Sequence, residues 1–267
     1  MSRLPGALAH LPLPIIGSPL FIVSNPTLVI EQCKAGVVGS MPALNARPAA
    51  QLEDWLAEIT EVLAAYNRAN PGQPAAPFAI NQIVHKSNDR LAQDMAVCVK
   101  YKVPIIITSL GAREDINAAA HSYGGVVLHD IINNRHARKA IEKGADGLIA
   151  VAAGAGGHAG VKSPFALIQE IRQWFDGPIA LSGAISTGDA VLAARAMGAD
   201  LPTSARPSSQ PKKRGRQTPT SRRLSTAIPT TSSTATCSPA YTATTWRRQS
   251  APLAWTPTTW PKAMPAK

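Results

Sequence analysis

Four glycines and one histidine follow directly on an apolar run in Asp146-Gly-Leu-Ile-Ala-Val-Ala-Ala-Gly-Ala-Gly-Gly-His-Ala-Gly160. A short apolar run ended abruptly by glycine reads as a buried strand. Gly154, Gly156, Gly157 and Gly160 leave little side-chain bulk, so the backbone can approach a ligand closely and offer its N–H groups to a phosphate. His158 then falls at the C-terminal mouth of the strand, where α/β enzymes place their acids and bases. The same pattern also suits a glycine-rich turn with an incidental histidine.

Other strand ends supply further polar groups. Gly17-Ser18-Pro19 ends the first strand candidate, and its low bulk suits a flat ring. The third offers Asn81 and Gln82, the fourth Thr108-Ser109 and the fifth His129-Asp130. Ser182-Gly183-Ala184 ends the seventh, just before a helix near Gly188. Phosphates commonly bind after the last two strands of an eight-stranded α/β barrel, on backbone N–H groups and a helix N-terminus. The chain shows no paired carboxylates, no HExxH and no Ser–His–Asp spacing, which disfavours glycoside and metal-dependent hydrolysis. Neutral amides, a phosphate cradle and a lone histidine suit a bound organic cofactor that carries the hard chemistry.

These residues need a scaffold, and the periodicity predicts one. Strands are expected at Leu13–Ile16, Ala35–Val38, Phe78–Ile83, Pro104–Thr108, Gly125–Leu128, Gly147–Ala152 and Ile179–Leu181. Helices are expected at Pro26–Lys34, Ala49–Asn67, Asn88–Tyr101, Arg113–Ser122, Asn134–Lys143, Pro164–Trp174 and Gly188–Met197. Leu52, Trp55, Leu56, Ile59, Leu63 and Tyr66 recur every three to four residues, as one buried face requires. Ser87 or Asn88 is expected to cap the third helix, and Gly144 and Gly198 to end two others, each within a Gly-Ala-Asp triplet. Trp55 and Trp174 read as core residues, and His10, His85, His121 and His136 as exposed histidines without a role. Repeated βα units argue for parallel strands with crossover helices, hence an α/β fold of the (β/α)8 TIM-type barrel kind. A doubly wound sheet is the alternative. Seven units are recognisable, and the eighth strand, due at Asp200-Leu201, is expected to be lost.

The reason is a break in composition. Residues 1–200 hold 16 acidic and 16 basic residues, whereas residues 201–267 hold no Asp or Glu and 11 Lys or Arg, the whole formal charge of +11. Such a tail, with Lys212, Lys213, Arg214 and Arg216 in one run, suggests nucleic-acid binding, and its Thr, Ser and Pro content suggests disorder. A third explanation is translation out of frame. A one-base shift turns common Asp, Asn and Tyr codons into Thr and a common Ala codon into Pro, and the tail has 14 Thr and 10 Pro. Leu201 to Gly215 can be spelled so that a neighbouring frame reads LAYIGSAFIATEEAR, a strand and a helix start. The expected organisation is therefore a truncated barrel over 1–200 and a basic, disordered tail over 201–267. Cys33, Cys98 and Cys237 are too scattered for a disulfide framework or zinc site, and no apolar run approaches a membrane span. A cytoplasmic enzyme is the expectation.

Gly144 to Gly160, followed by Gly177-Pro-Ile-Ala-Leu-Ser-Gly-Ala-Ile185, resembles the nitronate monooxygenase family, formerly 2-nitropropane dioxygenases, across about residues 12–200. The resemblance implies an FMN-binding (β/α)8 barrel that oxidises alkyl nitronates, with dioxygen, to carbonyl compounds and nitrite. It implies His158 as the catalytic histidine, on a motif running from Ala155 through Gly156 and Gly157 to Gly160. It implies Ser182 and Gly183 as phosphate-binding residues, with Ala184 in place of a second glycine. Gly17 and Ser18 stand where the family typically has Gln-Gly-Gly-Met, Asn81 becomes a flavin contact, and His129 replaces a lysine often found after strand five. The implied partners are a nitronate or nitroalkane and dioxygen, with no specific nucleic acid. Because the turn after strand one departs from the family pattern, FMN-dependent NAD(P)H:quinone reductases and enoyl-acyl-carrier-protein reductases of the same superfamily are alternatives. A nucleic-acid-binding protein acting through the tail is the alternative of another class.

Overall fold

In the computed structural model, residues 4–204 are described, and the expected alternation of strand and helix is realised throughout. The elements are β1 (Ile16–Gly17), α1 (Pro26–Lys34), β2 (Gly39–Pro42), α2 (Gln51–Ala69), β3 (Phe78–Ile83), α3 (Leu91–Lys100), β4 (Ile105–Ser109) and α4 (Glu114–His121). They continue with β5 (Val126–Ile131), α5 (Asn134–Glu142), β6 (Gly147–Val151), α6 (Pro164–Arg172), β7 (Ile179–Ser182), α7 (Gly188–Ala196) and β8 (Leu201–Ser204).

Local chemistry sets the helix ends. Asn25, Asn133 and Thr187 each accept a backbone N–H three residues on, which caps α1, α5 and α7. Gly144 and Gly198, at φ of 88° and 107°, end α5 and α7 in the left-handed conformation that glycine adopts without strain. The aspartates that follow them do one job twice. The Asp146 carboxylate accepts the Val127 N–H at 2.7 Å, and the Asp200 carboxylate accepts the Ile179 N–H at 2.9 Å while pairing with Arg172 at 2.5 Å. Each Gly-Ala-Asp thus stops a helix and pins the start of a neighbouring strand.

All strand pairs are parallel, in the order β1-β8-β7-β6-β5-β4-β3-β2. The ring closes where Gly17 N–H donates to Val38 O at 2.8 Å and Val38 N–H to Ile15 O at 3.0 Å. Alternate residues point into the barrel. Ile16, Val38, Ala79, Ile105, Ile107, Val126, Leu128, Ile149, Ala180 and Leu201 fill it, and Leu8 of a short N-terminal turn joins them. The opposite parity, with Ile80, Ile106, Val127, Leu148 and Leu181, packs against the helices. Fully burying such a side chain contributes roughly 1.5–3 kcal/mol. Leu52, Leu56, Ile59 and Leu63 give α2 its buried face, as the periodicity predicts.

Three elements differ from expectation. The first strand is short, because Pro12 and Pro14 carry no N–H and a ladder cannot extend back through them. The second begins at Gly39 rather than Ala35, because Ala35 closes α1 and Gly36 turns the chain at φ 85°. Asn88 does not cap α3: its amide donates to Ile83 O and its oxygen accepts the Arg90 N–H, forming a turn ahead of the helix.

The eighth strand, expected to be lost, is present. Leu201–Ser204 pairs with β7 and β1, despite Pro202 in the ladder. A parallel ladder is made by the main chain, so the strand needs only an extended backbone and an apolar inward side chain, here Leu201. The edges of β1 and β7 are therefore paired rather than open. The rest of the basic tail, residues 205–267, lies outside the described residues, as does every expectation about it. No helix among the described residues is long and apolar enough to cross a membrane.

Candidate active site

The C-terminal ends of the strands surround a cavity of about 1590 Å³. That is larger than the roughly 300–1,000 Å³ of an ordinary small-molecule pocket, so it has room for a cofactor and a second ligand. Ile107, Ile149 and Val151 line its apolar floor.

One wall is the glycine-rich loop after β6. Gly160 N–H donates to Val151 O at 3.1 Å and Ala153 N–H to Lys162 O at 2.8 Å, so the two ends of the loop are tied and residues 154–159 project. A β-carbon on Gly160 would lie 2.5 Å from Val151 O, so only glycine allows this closure. Gly156, Gly157 and His158 line the cavity and are exposed. No atom lies within 4 Å of where a β-carbon on Gly156 or Gly157 would sit. His158 has no hydrogen-bond partner among the described residues, which leaves both ring nitrogens for a ligand.

The adjoining wall comes from β7. Ser182, Gly183, Ala184, Ile185 and Ser186 line the cavity ahead of α7. Ala184 is held at φ 53°, a costly conformation for a residue with a side chain. Its N–H donates to Gly154 O at 3.0 Å, stitching this turn to the glycine-rich loop, so Ala184 shapes the cradle while its own N–H is spent. The N–H groups of Gly183, Ile185 and Ser186 have no acceptor among the described residues. Beside them, the buried Thr203 Oγ1 lacks a partner. Orphaned donors at a strand–helix turn are what an anionic phosphate would satisfy.

The opposite wall is built differently. His129 points to the helix side of β5, where its Nδ1 meets Thr108 Oγ1 at 2.6 Å. Burial, and then the nearby His136, push its pKa down to about 4, so it is neutral at physiological pH. Asp130 takes the inward position at the end of β5. Ser109 donates to its Oδ2 at 2.5 Å, and Asn81 Nδ2 donates to Ser109 Oγ at 2.7 Å and to Ile107 O at 3.2 Å. Burial raises the Asp130 pKa to about 6, against the lowering effect of the Ser109 hydroxyl. Asn81 itself is buried below the floor and reaches the cavity only through Ser109.

Gly17 also stands behind the site. A β-carbon there would meet the Gln32 side chain at 2.6 Å, and its backbone is used in closing the barrel, so Ser18 is the residue that faces the cavity. His85, His136 and Lys139 line the mouth, a role that sequence reasoning withheld from the two histidines. Both His129 and Asp130 line the cavity, and the register turns Asp130 into the barrel while His129 lies on the helix side of the strand.

The residues present fit FMN. The apolar floor suits a ring system, the amides after β7 suit its phosphate, and the orphaned Thr203 hydroxyl adds a donor. Among the described residues, no cluster of three His, Cys, Asp or Glu could hold a metal.

Solved structures share this fold. FabK from Thermotoga maritima superposes with a TM-score of 0.63 at 23% identity, over 74% of this chain and 58% of that one. Nitroalkane oxidase from Streptomyces ansochromogenes gives 0.64 at 22% identity, over 74% and 66%. The enoyl reductase domain of MlnA from the Bacillus amyloliquefaciens macrolactin cluster gives 0.55 at 15%, over 72% and 53%. The chain thus spans about three-fifths of the length of these proteins. No curated protein sequence matches it. The profile of one family does, over residues 7–203, a span that runs from the N-terminal turn into β8 and takes in the loop carrying His158 and the turn after β7. By that match the chain belongs to the nitronate monooxygenase family.

Proposed function

We propose that this chain derives from an FMN-dependent oxidoreductase that converts alkyl nitronates, with dioxygen, into a carbonyl compound and nitrite. The observation that carries the reading is the convergence of His158, the glycine-rich loop and the unspent amides of Gly183, Ile185 and Ser186 on one cavity. FMN would be held at its phosphate by those amides with Ser182 and Thr203, and its ring would lie toward Ile107, Ile149 and Val151. When bound, it supplies the acceptor for the substrate's electrons and the means to pass them to dioxygen. The chain's own part is to exclude water with the apolar floor and to bind an anionic nitronate near His158. His158 positions that anion, or takes a proton when the substrate arrives as the neutral nitroalkane.

Flavin titration tests the cofactor, with fluorescence quenching as the readout. Steady-state turnover of a nitronate against its parent nitroalkane, in the His158→Ala variant, tests the residue. Because the frame is read as broken near residue 200, weak FMN binding by this chain and tight binding by a frame-restored chain are expected. A soluble, stoichiometrically yellow preparation of this chain as written would refute the frameshift. The second reading is an NAD(P)H-dependent quinone or enoyl reductase on the same flavin. Gly17-Ser18-Pro19-Leu20 supports it by departing from the family's turn after β1. NAD(P)H consumption with a quinone, and none of the nitronate turnover, would favour it. Residues 205–267 are given no nucleic-acid role beyond weak, salt-sensitive polycation binding.

A further inference from the structure

The cavity is apolar at its mouth as well as on its floor. Three consecutive apolar side chains stand exposed in the loop after β1, Phe21 at 56%, Ile22 at 77% and Val23 at 52%, and Leu110 stands exposed after β4. Leu20 and Phe21 line the cavity from one side, and Leu110 and Ile132 line it from across the ring of strands. The loop after β1 is braced from below. Asn45 accepts the Ile22 N–H at 3.0 Å and donates to Leu20 O at 3.0 Å and Ser24 O at 2.8 Å. The buried Ser24 hydroxyl accepts the Leu20 N–H at 2.9 Å, and the Arg47 guanidinium lies over the Phe21 ring, 5.2 Å from its centroid. Ile22 and Leu110 are held at φ of 69° and 62°, a region costly for any side chain and most of all for a β-branched one. Strain that holds apolar side chains out at a ligand cavity adds nothing to the core, and it marks a surface set up for binding.

We propose that this mouth is a subsite for an apolar chain, and that the preferred substrate is a nitronate or nitroalkane with an extended alkyl tail rather than a three-carbon one. The reacting end lies near His158, and the tail runs out between Phe21 and Leu110. The inference rests on the proposed function for the reacting group, and on the loops after β1 and β4 for the tail. Two observations favour the substrate's own tail as the occupant. The apolar mouth is continuous, within one cavity, with the floor of Ile107, Ile149 and Val151. At about 1590 Å³ that cavity exceeds the roughly 300–1,000 Å³ of an ordinary ligand pocket, which leaves space beyond a cofactor and a small nitronate. Because the loop after β1 is braced before anything binds, little conformational freedom is lost when the tail docks.

The test uses the full chain, with and without added FMN, and straight-chain carboxylates from butyrate to decanoate. Their planar anionic head matches that of a nitronate without reacting, and titration calorimetry reads binding with no redox step. Affinity is expected to rise about 3–4-fold per methylene, on the order of 10²-fold from butyrate to octanoate. Phe21→Ser and Leu110→Asn should each flatten that rise, and asparagine tolerates the left-handed backbone at position 110. Phe165→Ser, which removes a phenylalanine of similar exposure (60%) outside the cavity, should leave it unchanged. Affinity independent of chain length, or a rise that survives both Phe21→Ser and Leu110→Asn, would overturn the proposal. A rise lost equally in Phe165→Ser would do so too. A dimer that Phe21→Ser dissociates, with no carboxylate bound, would give the face to a second copy and also overturn it. In the frame-restored chain with FMN, kcat/KM should be higher for the nitronate of 1-nitrooctane than for that of 1-nitrobutane. Chain-length-dependent binding without nitronate turnover would overturn the functional reading and leave the subsite standing. Nitronate turnover indifferent to chain length would do the reverse.

Discussion

The two walls of the cavity solve the same problem by opposite means. The β6–β7 wall is main chain: glycines, unspent N–H groups and an exposed His158 with no partner among the described residues. The β3–β5 wall is side chain: Asn81, Ser109 and Asp130 in a relay, with Thr108 and His129 bonded behind it. One wall is open and available to a ligand, and the side chains of the other are bonded largely to one another. The contrast teaches where each kind of function is kept. Binding an anion through backbone donors needs small residues in sequence order, whereas tuning a buried acid needs residues that meet only across strands.

Four experiments would break or sharpen this contrast, in descending order of expected effect. His158→Ala in the flavin-loaded, frame-restored protein should cut turnover of a neutral nitroalkane by about 10²-fold or more, with a smaller loss on the preformed nitronate and flavin still bound. Equal, small losses on both substrates would make the open wall purely a binding surface.

Gly160→Ala should destabilise by about 2 kcal/mol, because its new β-carbon must displace the Val151 carbonyl and Ile132. Chemical denaturation reads this directly. Gly156→Ala, where nothing lies within 4 Å, should cost far less, and equal costs would remove the argument that close approach shapes the loop.

Asp130→Asn should stabilise the ligand-free chain by about 1–2 kcal/mol at pH 8. The sign follows from linkage. Its folded pKa, about 6, lies above the unfolded 3.8, so the folded state binds the proton more tightly. Stability from this group is complete below about pH 4 and falls as the pH rises through about 6. The variant should lack that fall, and a parallel pH profile for both proteins would show that Asp130 is well solvated.

Thr108→Val should cost about 1 kcal/mol by leaving His129 Nδ1 unpaired. With its folded pKa near 4 and its unfolded value near 6.5, His129 binds fewer protons folded than unfolded, so stability should decline as the pH falls from about 6.5 toward 4. Denaturation midpoints across that window, in His129→Gln beside the parent chain, measure the effect.

Much of the scaffold is legible in the sequence alone. The helix starts at Pro26, Asn134, Pro164 and Gly188 and the strand at Phe78–Ile83 follow from capping residues and apolar periodicity, both of which are local. The β2 segment Gly39–Pro42 was missed because Gly, Ser, Met and Pro make no apolar run; its strand conformation comes from the ladder to Phe78–Asn81. The composition break at Leu201 argues against an eighth strand, yet composition says little about a four-residue backbone ladder.

The site divides along the same line. His158, Gly156, Gly157, Ser182 and Gly183 could be named from sequence because their usefulness lies in small side chains, or their absence, at consecutive positions. That Gly17 and Asn81 stand behind the cavity, that the Ala184 N–H is already used, and that Asp130 rather than His129 turns into the barrel were decided by tertiary structure alone. The physical reason is parity and distance. One residue of strand register exchanges the inside of the barrel for the outside, and the hydrogen bonds that raise or spend a group join residues 21 to 30 positions apart.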